Sequence, residues 1–180
     1  MQSNPPLKSR IALIGFMGAG KTSVGQALSH LIGTKFVDMD AEIEKAAQMP
    51  IPHIFDKYGE GHFRCLEYEF CKQIPSMDDV IIATGGGCIL DERNRTVLRE
   101  SAVVAYLKAS PETIFERIGG DALRPLLMGG NKLDKITSLL AQRELLYAQT
   151  AHIIIKTDGR DIMACAEELS AQYVESLHQI

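Results

Sequence analysis

Residues 10–22 of the chain read RIALIGFMGAGKT, an apolar run followed by a glycine-rich loop and the start of a helix. The segment from Gly15 to Thr22 matches the phosphate-loop pattern G-x-x-x-x-G-K-[ST]. Glycines let backbone N–H groups converge on phosphate oxygens, and the following helix directs the positive end of its dipole at the same anion. The stretch therefore predicts a β-strand, a phosphate-binding loop and a helix, with a nucleoside triphosphate as ligand.

The side chains of this loop suit phosphate chemistry. Lys21 can reach the β- and γ-phosphates, and the Thr22 hydroxyl can hold Mg²⁺. A glycine-rich turn that binds nothing is the alternative, but such a turn needs neither the strand before it nor the helix after it. Apolar residues follow the loop at helical spacing, namely Val24, Ala27, Leu28, Leu31 and Ile32. We predict that the nucleotide contacts Gly18, Ala19, Gly20, Lys21, Thr22 and Ser23.

Length and composition limit the class of protein. The 180 residues predict one domain with a sizeable core, and the net charge of −4 gives no sign of a nucleic-acid surface. The first ten residues lack an apolar core and no apolar run reaches transmembrane length, so we expect neither a signal peptide nor a membrane partner. The four cysteines form no C-x-x-C pair and are interpreted as reduced thiols. These features predict a cytoplasmic protein.

Four more apolar segments behave like the first strand and alternate with predicted helices. They lie at residues 35–38, 80–84, 103–107 and 153–155. Short apolar strands separated by helices are typical of a parallel sheet covered on both faces, so we predict an α/β fold. Ligands of such a sheet bind beyond the carboxyl ends of its strands. The phosphate loop, Asp38, Asp40 and the glycines at 85–87 all fall at that edge.

Two short patterns favour a different class, the small GTPases, whose phosphate loop is followed by D-x-x-G and N-K-x-D. Residues 56–59 and 131–134 match these patterns in that order. The GTPase aspartate ends a central strand, however, and the prolines at 50 and 52 cannot donate to a strand ladder. Asn131 follows two glycines rather than a strand and suits the N-cap of a helix. We interpret both as chance matches and keep a GTP-driven switch as the rival function.

Carboxylates and one arginine are candidates for the site of a phosphoryl acceptor. Asp38 and Asp40 straddle the end of the second strand, where one can hold Mg²⁺ and the other can accept a hydroxyl proton. A carboxylate that complements a helix dipole is the alternative for Asp40. Arg143 falls on the apolar stripe of its predicted helix, so its charge requires a partner, and a bound anion would supply one.

Three further arginines have simpler alternatives. Arg64 lies four residues after Glu60, which is the spacing of an exposed helical ion pair. Arg117 lies just before a glycine-bounded segment and Arg124 lies within it. That segment could close over the phosphates as a lid, and a solvated charged loop is the alternative.

The ordered set of motifs resembles the shikimate kinase family over about the first five-sixths of the chain. The resemblance is carried by residues 15–22, 36–40, 54–55, 59–60, 63–67, 85–87, 124–127, Arg143 and Tyr147. It implies a single phosphate-loop kinase domain at 1–180, built as a three-layer α/β/α fold on a five-stranded parallel sheet in the order 2-3-1-4-5. A shikimate-binding region at about 38–74 and a mobile lid at about 119–131 are also implied.

The resemblance implies transfer of a phosphoryl group from MgATP to the 3-hydroxyl of shikimate, on the route to chorismate and the aromatic amino acids. The implied ligands are ATP, Mg²⁺ and shikimate, with no nucleic-acid or membrane partner, and we expect a monomer. The residues implied around shikimate are Asp40, Arg64, Glu67, Gly85, Gly86, Gly87 and Arg143.

Individual roles follow from the same resemblance. The shikimate carboxylate would lie between Arg64 and Arg143, because a planar guanidinium suits a planar anion. Glu67 would support the arginine. The implied catalytic residues are Lys21, Asp40 and Arg124, with Asp40 as candidate base and Arg124 neutralising charge from the lid. The implied metal ligands are Thr22 and, through water, Asp38; Arg117 would stack on adenine and, with Arg124, complete the nucleotide contacts.

One segment departs from the family pattern. Family members usually present a proline-containing loop to adenine after the last strand, whereas residues 156–160 here read KTDGR. Another small-molecule kinase of the same fold, such as a gluconate or nucleotide kinase, is a further alternative. The pair Arg64 and Arg143 argues against a neutral sugar, because two guanidinium groups would have nothing to neutralise.

Overall fold

The computed structural model describes residues 10–118 and 131–177. Its strands are β1 (Arg10–Ile14), β2 (Lys35–Asp38), β3 (Val80–Ala83), β4 (Val103–Lys108) and β5 (Ile153–Lys156). Neighbouring strands pair in parallel, and their order across the sheet is β2-β3-β1-β4-β5. The predicted α/β fold and the strand order implied by the family resemblance are both confirmed.

Helices cover both faces of this sheet. They are α1 (Lys21–Ile32), α2 (Met39–Ala47), α3 (Ile51–Cys71), α4 (Glu92–Ser101), α5 (Pro111–Ile118), α6 (Lys132–Thr150) and α7 (Ile162–Leu177). Short 3₁₀ turns follow α3 and β3, at Ile74–Ser76 and Cys88–Leu90. None of the helices within these two described ranges is long and apolar enough to cross a membrane.

Strand β1 is the central strand of the sheet, and all five of its residues are buried. Leu13 pairs with Ala83 of β3 on one side and with Ala105 of β4 on the other. Asp38, the last residue of β2, is in register with the same Ala83. The loops that follow β1, β2 and β3 therefore leave the sheet side by side, at its carboxyl edge.

Helix α1 packs closely on the sheet because Gly25 faces it. A Cβ atom on Gly25 would lie 2.5 Å from the Phe36 ring and 2.9 Å from a methyl carbon of Leu13. Both distances are shorter than real Cβ contacts, so a larger residue would push the helix away. Since α1 begins at Lys21, its distance from the sheet also sets where the phosphate loop lies.

Helix α3 corrects one detail of the predicted chain order. The sequence predicts a short helix at residues 54–58 and a longer one from Gly59, with the prolines as breakers. In the structure the first helical segment begins at Ile51 rather than at residue 54, because Pro52 occupies its first turn, where no backbone N–H is needed. Gly59 is non-helical (φ 79°, ψ 169°), so α3 consists of two helical segments joined at a kink, and the predicted division at Gly59 is confirmed.

The two GTPase-like patterns do not lie at the ends of strands. Asp56 lies within α3, and Asn131 caps α6, where its side-chain oxygen accepts the Leu133 N–H at 3.1 Å. The predicted N-cap is confirmed. Both positions lack the strand context that a GTPase requires, which agrees with their interpretation as chance matches.

Candidate active site

A cavity of about 860 Å³ lies at the carboxyl edge of the sheet. It brings together residues predicted for the nucleotide, the metal and the acceptor. These are Gly18, Ala19, Gly20, Lys21, Thr22, Ser23, Asp38, Asp40, Arg64, Glu67, Gly85, Gly86, Gly87, Arg117 and Arg143. Arg124, predicted as a lid residue, and all but the last residue of the predicted lid segment lie outside the described residues.

The phosphate loop (residues 15–22) adopts a shape that depends on glycine. Gly18 and Gly20 have φ values of 77° and 96°, in the left-handed region that other residues rarely adopt. Gly20 is the N-cap of α1, so the free N–H groups of the first helical turn face the cavity that the loop lines. Lys21 Nζ donates to the carbonyl oxygens of Gly15 (2.8 Å) and Phe16 (3.1 Å).

The two predicted metal ligands are in direct contact. The Thr22 hydroxyl donates to Asp38 Oδ2 at 2.8 Å. The other oxygen of Asp38 accepts the N–H groups of Asp40 and Ala41, so the carboxylate caps α2. Within residues 10–118 and 131–177 no three His, Cys, Asp or Glu side chains cluster as metal ligands. A hydroxyl beside one carboxylate suits Mg²⁺ that keeps several waters and binds phosphate oxygens, rather than an ion held by protein alone.

Arg117 lies across the phosphate loop from the end of β5. Its guanidinium donates to the carbonyl oxygens of Gly18 (3.2 Å) and Thr157 (2.8 Å) and to the Thr157 hydroxyl (3.1 Å). Thr157 is buried, and its hydroxyl also lies 3.3 Å from the Ala19 carbonyl. We call this region, the phosphate loop with Arg117 and Thr157, the nucleotide half of the cavity.

Arg64 and Glu67 form an ion pair on the opposite side of the cavity. Arg64 Nη1 lies 2.6 Å from Glu67 Oε2, and its Nη2 lies 2.7 Å from Glu60, the helical pair that spacing alone predicts. Glu67 is fully buried, and no group within the described parts of the chain hydrogen-bonds its Oε1. Burial raises the pKa of Glu67 to about 7, because loss of hydration outweighs the stabilising charge of Arg64.

The glycine run (residues 85–87) makes room for these side chains. A Cβ atom on Gly85 would lie 2.5 Å from Glu67 Oε1 and 2.9 Å from Asp40 Oδ1. One on Gly87 would overlap the Arg64 guanidinium. The run is therefore a surface without side chains against which a carboxylate pair and a guanidinium are packed.

Arg143 lies on α6 with 6% of its surface exposed. Its Nη1 is 3.4 Å from the Gly86 carbonyl oxygen, and its guanidinium carbon is 5.5 Å from the centre of the Phe16 ring. No carboxylate in the part of the chain that the structure describes forms an ion pair with it. The predicted burial of this charge is confirmed, and the guanidinium lines the cavity. We call Asp40, Arg64, Glu67, the glycine run and Arg143 the acceptor half.

Some residues of the site received no role from the sequence. Thr157 follows β5 directly and so lies at the carboxyl edge of the sheet, as Asp38 and the glycine run do, and this was the available signal. Tyr147 lies one helical turn after Arg143 and donates its hydroxyl to the Gly86 carbonyl at 2.5 Å. Ile162, just after the segment that lacks the family proline, also lines the cavity. His152, unassigned from the sequence, accepts the Val104 N–H at 2.9 Å and serves the sheet.

Proteins of known family resemble this chain in sequence. The family profile described as Shikimate kinase matches residues 17–177. A shikimate kinase of Nitrosococcus oceani is 39% identical over 166 residues, which are 92% of this chain and 87% of that protein. Another, of Thermodesulfovibrio yellowstonii, is 43% identical over 163 residues, which are 91% of this chain and 94% of that protein.

Solved structures agree with the sequence comparison. The structure of shikimate kinase from Acinetobacter baumannii in complex with shikimate has a TM-score of 0.90 and 37% identity, and the match covers 93% of this chain and 94% of that one. A gluconokinase from Sinorhizobium meliloti has a TM-score of 0.58 and 15% identity, covering 97% of this chain and 98% of that one, which shows a shared fold alone. The chain therefore belongs to the shikimate kinase family.

Proposed function

We propose that this chain is a shikimate kinase that transfers the γ-phosphoryl group of MgATP to the 3-hydroxyl of shikimate, giving shikimate 3-phosphate and ADP. The main support for the proposal is the buried Arg143, which lines the same cavity as the phosphate loop and Arg64. Two guanidinium groups beside a phosphoryl donor suit an acceptor that carries a carboxylate.

The nucleotide half holds the donor, because members of this family use ATP. Backbone N–H groups of the phosphate loop bind the phosphates, and Lys21 exchanges its carbonyl partners for β- and γ-phosphate oxygens. Arg117 and Thr157 bound the space at the end of the loop where adenine binds. Arg124 adds positive charge at the transferring group when the lid, at about 119–131, closes and excludes water.

Thr22 and Asp38 would hold Mg²⁺, Thr22 through its hydroxyl and Asp38 through water. There the ion would offset the negative charge of the phosphate oxygens. The contact between the Thr22 hydroxyl and Asp38 supports this, because the two oxygens are already brought together at the edge of the phosphate loop.

The acceptor half orients shikimate. Arg64 and Arg143 bind its carboxylate, and Glu67 holds the Arg64 guanidinium in place. The glycine run lets the hydroxylated ring of shikimate approach the backbone. Asp40 binds ring hydroxyls and accepts the proton of the 3-hydroxyl late in the transfer, because a loose transition state needs little early deprotonation. The protein thus contributes positioning and charge rather than a covalent intermediate.

We further propose that the enzyme is a cytoplasmic monomer on the route to chorismate and the aromatic amino acids.

The first experiment measures ADP release from MgATP in a coupled assay with and without shikimate. We expect strong shikimate-dependent release, and no comparable release with gluconate, a hydroxylated carboxylate of different shape. Replacing ATP by GTP addresses the rival switch, which would require guanine and hydrolyse it without an acceptor. Absence of stimulation from folded protein that binds ATP would reject the acceptor, and other hydroxylated carboxylates would then be screened.

A further inference from the structure

Tyr147 is fully buried behind the acceptor half and does not line the cavity itself. It lies one turn after Arg143 on α6, and its hydroxyl donates to the Gly86 carbonyl oxygen at 2.5 Å. A buried phenol needs such a partner, since an unpaired hydroxyl is costly in the interior. Tyr147 therefore contacts the site through the backbone of its glycine run.

The same carbonyl oxygen is shared with Arg143. Arg143 Nη1 lies 3.4 Å from the Gly86 oxygen, a longer and weaker contact than that of the tyrosine hydroxyl. Two donors from successive turns of α6 thus converge on one acceptor of the glycine run. The position of this oxygen determines both where the run lies and where the guanidinium is held.

The ring of Tyr147 is itself fixed. It stacks on Tyr106 of β4, with ring centres 4.9 Å apart and planes 15° from parallel. The Tyr106 hydroxyl donates to Glu144 at 2.7 Å, and Glu144 is paired with Lys108. Burial raises the pKa of Tyr147, so its hydroxyl keeps the proton that it donates. The stack gives the hydroxyl one direction, toward Gly86.

We propose that Tyr147 is a positioning residue for the acceptor: its hydroxyl fixes the Gly86 carbonyl, and through it the glycine run and the Arg143 guanidinium. This inference rests on the proposed function, because it assigns the glycine run and Arg143 to shikimate. It concerns the acceptor half alone and predicts no change in the nucleotide half.

The test is Tyr147→Phe, which keeps the ring and its stacking and removes only the hydroxyl. We expect the KM for shikimate to rise about tenfold, the equivalent of about 1.4 kcal/mol. We expect kcat to change by about threefold at most and the KM for ATP by less than about twofold, as for an interaction that affects acceptor binding. Since the ring still fills its space, the variant should fold, which circular dichroism and thermal melting would verify.

Tyr106→Phe is the matched control. It makes the same substitution on the stacked ring, where the lost hydroxyl faces Glu144 rather than the glycine run. We expect its KM for shikimate to stay within about twofold of wild type, even if both variants melt at lower temperature. Placing 4-aminophenylalanine at position 147 restores a donor and should recover much of the lost affinity.

Three results would overturn the inference: an unchanged shikimate KM in Tyr147→Phe, an equal rise in Tyr106→Phe, or no recovery with 4-aminophenylalanine. Each result is compared with wild-type enzyme that shows shikimate-dependent ADP release. If the wild-type chain itself showed no shikimate-dependent ADP release, the proposed function would fail instead, so the two failures are distinguishable.

Discussion

The two halves of the cavity are built in different ways. The nucleotide half takes most of its contacts from one contiguous stretch, residues 15–22, whose backbone and helix N-terminus form the anion site. The acceptor half combines side chains from α2, α3 and α6 with the glycine run after β3. One half depends on local backbone shape, and the other depends on how distant elements pack.

This difference predicts which substitutions should alter the kinetic constants for shikimate and which should alter those for ATP. Replacing a side chain in the acceptor half should leave the phosphate loop intact, because the two halves have no side chain in common. Replacing Lys21 leaves the arginines and the glycine run in place. Variants of the two halves should therefore separate the kinetic constants for shikimate from those for ATP.

The largest effect is expected from Lys21→Met, which removes the charge that would contact the transferring phosphates. We expect kcat to fall by about 10³-fold, in the range for loss of a group that stabilises transition-state charge. The shikimate KM should stay within about threefold, since the acceptor half is unchanged. Steady-state kinetics would check both values, with exposed Lys45→Met as control. A shikimate KM that rose as strongly as kcat fell would break the division into halves.

Arg143→Ala is the corresponding change in the acceptor half. Removing a buried guanidinium that is proposed to pair with the substrate carboxylate should raise the shikimate KM by about 10²-fold, about 2.7 kcal/mol. The KM for ATP should change by less than about threefold. Arg143→Lys keeps the charge but not the planar guanidinium, so its shikimate KM should lie between those of wild type and Arg143→Ala. An unchanged shikimate KM in Arg143→Ala would show that the carboxylate binds elsewhere.

Glu67→Gln tests how much the buried carboxylate of Glu67 destabilises the folded state when it is ionised. The pKa of Glu67 is raised from 4.5 to about 7, so the folded state binds the proton more tightly than the unfolded state. Wild type should therefore lose free energy of unfolding as pH rises from about 5.5 to about 7, by about 1 to 2 kcal/mol. The glutamine has no proton to lose and should not show this loss.

The measurement is urea unfolding of wild type and Glu67→Gln at several pH values. The difference between them should shift in favour of the variant as pH rises. Exposed Glu69→Gln, on the same helix, should follow wild type. A constant difference across the window would mean that Glu67 titrates normally.

The smallest effect is expected from Thr157→Val, at the edge of the nucleotide half. The valine keeps the shape and removes the hydroxyl that contacts Arg117. We expect the KM for ATP to rise about threefold to fivefold and the shikimate KM to stay unchanged, because one hydrogen bond contributes about 1 kcal/mol. Thr137→Val, which removes a hydroxyl that bonds to the Leu133 carbonyl of its own helix, is the control. A larger change in the KM for shikimate than in the KM for ATP would show that Thr157 does not belong to the nucleotide half.

The same division explains what the sequence could predict. The phosphate loop was predictable because its function lies in local backbone shape, which glycine spacing determines. The parallel sheet was predictable because continuously apolar strands separated by helices allow few other arrangements. The N-cap at Asn131 and the break at Gly59 are likewise local properties of a residue and its neighbours.

The acceptor half was less accessible from the residues alone. Spacing offered Glu60 as the partner of Arg64, whereas the shorter contact is with Glu67, whose burial depends on packing against the glycine run. The convergence of Tyr147 and Arg143 on Gly86 joins positions about sixty residues apart. Helical periodicity identified the buried stripe of α6, but the residue that faces this stripe depends on tertiary structure.

Asp38 is the point where folding and ligand binding use the same side chain. One of its oxygens caps α2 and the other receives the Thr22 hydroxyl, so its rotamer is fixed when the helix forms. An N-cap contributes about 1 kcal/mol, and a side chain already held in one rotamer loses little further entropy when a ligand arrives. The side-chain entropy that Asp38 would lose on holding the proposed metal is thus already lost during folding. The same carboxylate caps α2, the helix that carries Asp40.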